Sequence, residues 1–164
     1  GMDSYSYFKH PNVITSIEFE RILSASGPFS GEIKRPSDEK HPRKVAWIQC
    51  VGSREDEHQY CSRICCQQAV KNALAVKQGN PKARVFVLYR DMRTYGLNEI
   101  HYRRAREAGV VFIRFEPTNK PQVNTEGEIS VVVVDEVLQR PIELRPDLLV
   151  LSAAIRPQPE AEAV

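Results

Sequence analysis

All four cysteines of this 164-residue chain fall in one stretch, "WIQCVGSREDEHQYCSRICCQQAV". They are Cys50, Cys61, Cys65 and Cys66, spaced C-x10-C-x3-C-C. Thiolates bind soft metals, exchange disulfides and, in sets of four, hold iron–sulfur clusters. Buried cysteines that act as small hydrophobes need no such grouping, so confinement to one stretch argues for a shared site. Three chemistries are open to it. Disulfide exchange between Cys61 and Cys65 is one, although no C-x-x-C redox pair is present. Structural zinc is another, but such sites usually draw on C-x2–4-C pairs, and adjacent cysteines rarely both reach one tetrahedral centre. A [4Fe-4S] cube offers four separated iron corners and suits the vicinal pair better. His58, inside the cysteine loop, and His101 are the other ligand types considered; for both, a surface or hydrogen-bonded structural role is the ordinary expectation.

The flanking patterns say what positions these thiols. "KVAWIQC" (44–50) is a short apolar run and predicts a buried strand. Residues 62–79 predict a helix with Ala69, Val70, Ala73, Leu74 and Val76 on workable spacings and Gly79 as its stop. Cys50 then ends a strand, Cys61 closes the loop, and Cys65 and Cys66 lie in the first helical turn. A helix N-terminus supplies free N–H groups and partial positive charge, which are expected to lower thiol pKa and stabilise anionic sulfur.

A second strand (83–90), a second helix (97–109) and a third strand (110–115) follow. Strands alternating with helices predict a parallel sheet. Beyond them, β segments at about 122, at 128–134 and at 141–145 predict an antiparallel meander, and "DLLVLS" (147–152) a last buried strand. Ahead of the core, residues 1–14 show no periodicity, Thr15 and Glu18 form a capping box for a helix that Gly27-Pro28 stops, and 27–43 reads as linker or surface loop. The expected fold class is therefore α/β, a Rossmann-like three-layer domain over 44–157, with 1–43 as an N-terminal segment and 158–164 as a polar tail. Trp47 is expected in the core.

This order of elements resembles the pyridine-nucleotide domain of flavoprotein disulfide reductases of the thioredoxin reductase type. Such a domain should carry G-x-G-x-x-G between first strand and first helix, where backbone approaches pyrophosphate. Here only Gly52 stands at that junction, and Glu55, Asp56 and Glu57 would repel a phosphate. Arg90 and Arg93 are a weak hint of a 2′-phosphate site, and Asp91 and Arg93 are expected to line what is left of a nucleotide cleft.

Net charge is +2 with Lys and Arg scattered, which argues against nucleic acid as a partner. No apolar run spans a membrane and no signal-peptide pattern is seen, so the expected compartment is the cytoplasm. The opening Gly-Met and the abrupt ends suggest a piece of a larger protein.

"IQCVGSR" and "YCSRICC", together with "NVITSIEFERILSASGP", resemble the A-subunit family of heterodisulfide reductase, over about Asn12 to Pro157. The resemblance implies a large flavin protein with a thioredoxin-reductase-like core and several iron–sulfur clusters. Its non-standard cysteine motif, matched by Cys50, Cys61, Cys65 and Cys66, implies one [4Fe-4S] cluster. FAD is implied for the neighbouring domain, to which 1–43 would belong, and not for this chain. The implied partners are other redox subunits of a complex and the remainder of the parent flavin protein. The function so implied is electron relay between FAD and other clusters, within an oxidoreductase; no residue here is a convincing acid, base or nucleophile. The rival expectations are an NAD(P)-binding reductase domain and a zinc-stabilised interaction module.

Overall fold

The three-residue strand Val13–Thr15 (β1) hands directly to helix Ser16–Leu23 (α1) through Thr15, whose side chain accepts from Glu18 N while Glu18 Oε2 accepts from Thr15 N at 2.6 Å. This is the capping box expected from sequence, and it satisfies two otherwise orphaned backbone donors. The computed structural model describes residues 2–158, so all of the expected tail but Gln158 lies outside the described residues. After a looped segment come Lys44–Val51 (β2), Cys65–Gly79 (α2), Arg84–Tyr89 (β3), Glu99–Glu107 (α3) and Val111–Arg114 (β4). Gln122–Asn124 (β5), Ser130–Asp135 (β6), Arg140–Leu144 (β7) and Leu148–Ala153 (β8) complete the chain.

Five strands form one parallel sheet in the order β1-β8-β2-β3-β4. The other three form a separate antiparallel sheet, β5-β6-β7. The α/β class with a parallel core and a meander is thus the observed architecture. The helices lie on one face of the parallel sheet and the meander on the other. Alternation along the strands makes this possible, because successive side chains point to opposite faces. Val45, Trp47, Val85, Val87, Leu148 and Val150 face the helices, meeting Phe19, Ile22, Val70 and Val76. Ala46, Ile48, Phe86, Leu88, Leu149 and Leu151 face the meander, meeting Ile129, Val131, Val133 and Leu144. Burial on both faces explains why β2, β3 and β8 read as continuous apolar runs. Each large aliphatic side chain so buried contributes roughly 1.5–3 kcal/mol.

Two features lie outside the sequence patterning. β1 pairs with β8 as a fifth, edge strand, and Tyr5, from the 3-10 turn Met2–Tyr5, packs into the meander-side core. The chain before residue 44 therefore shares its sheet and its core with the chain after it; Phe19 and Trp47 are both fully buried in one cluster. The helix expected from residue 62 begins at Cys65, and the one expected from 97 begins as a 3-10 turn, Gly96–Asn98. Gly109, at φ +84°, ends α3 as expected. Among the described residues no helix is long and apolar enough to cross a membrane.

Candidate metal centre

Cys50 sits at the end of β2, where the ladder to β8 slips. Ile48 pairs with Leu151 and Val51 with Ala153, so β2 holds one residue more than its partner. That is a bulge, and it puts Cys50 at φ +61°. A non-glycine residue there costs about 1–2 kcal/mol. Bulges re-aim side chains beside functional sites; here the residue re-aimed is a cysteine. The loop that follows holds two more non-glycine residues at positive φ, Arg54 at +58° and Arg63 at +66°. Strain of this kind clusters where function over-determines the backbone.

Within the loop, Glu55 and His58 exchange backbone hydrogen bonds at 3.1 and 2.9 Å, forming a short closed turn. Cys61 follows, and its sulfur accepts from the Arg63 N–H at 3.3 Å. Cys65 and Cys66 open α2, whose cap residue Ile64 supplies no side-chain bond to the first turn. The Cys66 thiol donates to the Asp91 carbonyl, just past β3, at 3.6 Å. The exit of β8 joins the same region, where Ile155 N donates to Ser62 Oγ at 2.9 Å. Cys66 is buried; the other three cysteines are partly exposed.

The four thiols lie near enough that ionised neighbours oppose one another's ionisation. Cys65 is pushed up to about 11, by burial first and then by the charges of Cys66, Cys50 and Cys61. Burial also leads in raising Cys50 and Cys66, each of which is opposed by Cys61. Lowering of the thiols at the helix terminus, expected from sequence, is therefore not the net result, because desolvation and mutual repulsion outweigh it. The main counter-charges are arginines: Arg54 and then Arg90 favour the Cys50 thiolate, and Arg93, through its backbone and its charge, favours that of Cys66. Among the described residues no three His, Cys, Asp or Glu side chains gather around a single ion.

Several buried polar atoms nearby have no hydrogen-bond partner: Arg54 Nη1, Arg90 Nε and both ring nitrogens of His58. His58 is 6 % exposed and packs on Tyr60 with ring centroids 3.8 Å apart and planes tilted by 44°. His101 is exposed on α3. Unpaired buried donors call for a partner outside the folded chain. Four thiols, uncapped helix N–H groups and orphaned cationic donors fit an anionic, thiolate-bound group.

At this strand–helix junction Gly52 is needed for its backbone, at φ +71°, and not for closeness: an added Cβ would meet nothing nearer than 3.9 Å. Glu55 is tied to Lys120 at 2.6 Å rather than free.

No family model matches the sequence. Among curated proteins, the chain is 44 % identical over 162 residues to the iron–sulfur A-subunit of the CoB–CoM heterodisulfide reductase of Methanocaldococcus jannaschii, covering 96 % of the chain and 25 % of that protein. It is 40 % identical to the A-subunit of the H(2)/formate:CoB-CoM heterodisulfide,ferredoxin reductase of Methanococcus maripaludis, covering 97 % of the chain and 25 % of that protein. The chain belongs to the A-subunit family of heterodisulfide reductase. It spans about a quarter of the length of these family members. Among solved structures, L-lysine 6-monooxygenase from Pseudomonas syringae shares the fold, with a TM-score of 0.53 and 10 % identity over 91 % of the chain and 41 % of that protein. It says nothing of the family's chemistry.

Of the residues around the thiols, sequence patterning singled out Arg90, Asp91 and Arg93, as nucleotide-site residues, and missed Arg54 and Tyr5. Asp91, expected to line what is left of a nucleotide cleft, accepts from Arg54 Nη2 at 2.6 Å. Arg54 gave no sign of itself among the acidic residues of its loop. Tyr5 was in a stretch without pattern, yet its hydroxyl is pushed up to about 12 by burial, then by Glu55 and Cys50.

Proposed function

We propose that Cys50, Cys61, Cys65 and Cys66 ligate one [4Fe-4S] cluster and that this domain relays electrons in a cytoplasmic oxidoreductase of the heterodisulfide reductase type. The observation that carries the proposal is the grouping of every thiol in the chain at one junction, each opposing the ionisation of its neighbours. That repulsion is tolerable only while the thiols are protonated or share a cation, and iron supplies the cation. The adjacent pair Cys65 and Cys66 favours a multi-iron group over a single zinc ion, because neighbouring residues rarely both reach one tetrahedral centre.

The chain's own residues do the rest. The bulge at Cys50 aims one ligand from the sheet, and the first turn of α2 brings two from the helix. The Arg63 N–H and the uncapped first turn of α2 offer hydrogen bonds to sulfur, which help set a potential. The cluster, when bound, supplies one-electron chemistry. FAD in the neighbouring domain and the clusters of partner redox subunits are the donors and acceptors in this proposal; the relatives' names speak of an iron–sulfur subunit and of a ferredoxin reductase.

Anaerobic reconstitution with iron and sulfide tests it. The expected product contains iron and acid-labile sulfide, absorbs broadly near roughly 400 nm as thiolate-bound iron does, and bleaches on reduction. A protein that takes up zinc stoichiometrically and refuses iron would sink the proposal.

A further inference from the structure

Arg54 is an odd residue to find where it lies. It follows the bulge at a positive φ of 58°, which an arginine has no intrinsic reason to adopt. Its side chain is 18 % exposed, although the loop around it is a surface loop rich in carboxylates. Two hydrogen bonds hold it. Arg90 Nη1 donates to its carbonyl at 2.8 Å. Its own Nη2 donates to Asp91 Oδ2 at 2.6 Å. These bonds keep the guanidinium at the mouth of the cysteine loop, four residues after Cys50 and on the same Asp91 that takes the Cys66 thiol. A second nitrogen of the guanidinium, Nη1, is buried with no hydrogen-bond partner. A buried charged donor left unpaired costs more than a neutral one. A fold keeps such a donor where an acceptor arrives in the working state.

Asp91 is the hinge of the arrangement. Its carbonyl takes the Cys66 thiol, and its carboxylate fixes Arg54 beside Cys50. One residue at the exit of β3 thus touches Cys66 directly and Arg54 of the cysteine loop through its carboxylate. The Arg54 guanidinium and the Asp91 carboxylate form a close ion pair at 2.6 Å.

We infer that Arg54 is a positioning residue that sets the redox potential of the cysteine-bound group, with Asp91 holding it in place and partly cancelling its charge. The inference rests on the cluster proposal above. One-electron reduction adds one negative charge at the site and makes or breaks no bond; the electron comes from a reduced flavin, or from dithionite in the assay. Arg54 stays protonated throughout, since its guanidinium does not deprotonate in proteins. A fixed cation close to the site stabilises the more negative, reduced state. Removing it makes reduction harder. Removing the Asp91 carboxylate leaves the cation uncompensated and makes reduction easier.

The test is a potentiometric titration of reconstituted protein, followed by visible absorbance and electron paramagnetic resonance, with iron assayed beside it. Arg54→Gln is expected to keep its iron and to shift the midpoint to more negative potential, and Arg54→Lys to shift it less. Asp91→Asn is expected to shift it the opposite way. A purely structural role for the pair would move both variants in the same direction or neither. If Arg54→Gln does not fold or loses iron, Asp91→Asn decides: a positive shift supports the inference, and no shift or a negative one overturns it. Full iron with unchanged midpoints overturns the role of Arg54 and leaves the cluster standing. Wild-type protein that takes up no iron overturns the cluster proposal and this inference with it.

Discussion

Phe19 meets Trp47 edge to face, with ring centroids 5.1 Å apart and planes at 75°, and neither side chain reaches solvent. One residue belongs to α1 and the other to β2, so this contact ties the N-terminal helix to the strand that ends at Cys50. Edge-to-face pairs of this kind contribute about 0.5–1.5 kcal/mol beyond their burial. Phe19→Ala is therefore expected to lower stability by about 3–5 kcal/mol. Urea unfolding followed by Trp47 fluorescence measures it. A loss under about 1 kcal/mol would show that α1 is dispensable to the sheet.

Each of Cys50→Ser, Cys61→Ser, Cys65→Ser and Cys66→Ser is expected to cut the iron content of reconstituted protein, because a hydroxyl is a poor ligand for iron. Circular dichroism should stay close to that of the parent. The core of Val45, Trp47, Val85, Val87 and Ile113 contains no cysteine. A zinc module behaves otherwise, losing its fold with one ligand. Full iron together with a lost fold in Cys66→Ser would assign Cys66 to packing and make His58, with its two unpaired ring nitrogens, the next ligand to examine.

Metal-free protein should lose stability at alkaline pH through Cys65. Its thiol is raised from the ordinary 9.0 to about 11. Below pH 9 the group is protonated in both folded and unfolded chains, and its contribution is fully present. As pH rises through 9 towards about 11, the unfolded chain ionises first and stability falls. The melting temperature is expected to drop over that window, and less steeply in Cys65→Ser than in the parent. Identical slopes in the two proteins would contradict the assignment.

NADH and NADPH are not expected to bind at the β2–α2 junction. No glycine loop lies there, and the thiols and the Glu55–His58 turn take its place. Isothermal calorimetry on the metal-free protein checks this. Saturable binding at micromolar nucleotide would revive the nucleotide-domain alternative.

The architecture is largely legible in the sequence. β2, β3 and β8 are apolar throughout because both faces of the parallel sheet are covered, and such runs are visible in one dimension. The capping box of α1 is legible for the same reason, since Thr15 and Glu18 are only three residues apart. The grouping of Cys50, Cys61, Cys65 and Cys66 needs no fold at all to be noticed. Local order of this kind depends on near neighbours, and near neighbours are what a sequence displays.

Other features depend on partners far along the chain. β1 has three residues and no usable period; it is a strand because β8, more than a hundred positions later, offers it an edge. The bulge that turns Cys50 exists only as a slip between β2 and β8. Arg54 and Asp91 are 37 residues apart and meet because β3 ends beside the cysteine loop. The upward shift of the Cys50, Cys65 and Cys66 thiols has the same origin. Their types and spacing suggest a helix terminus that favours thiolate, but the net shift is a contest between that field, desolvation and mutual repulsion. Those last two are set by how deeply and how closely the folded chain packs the sulfurs.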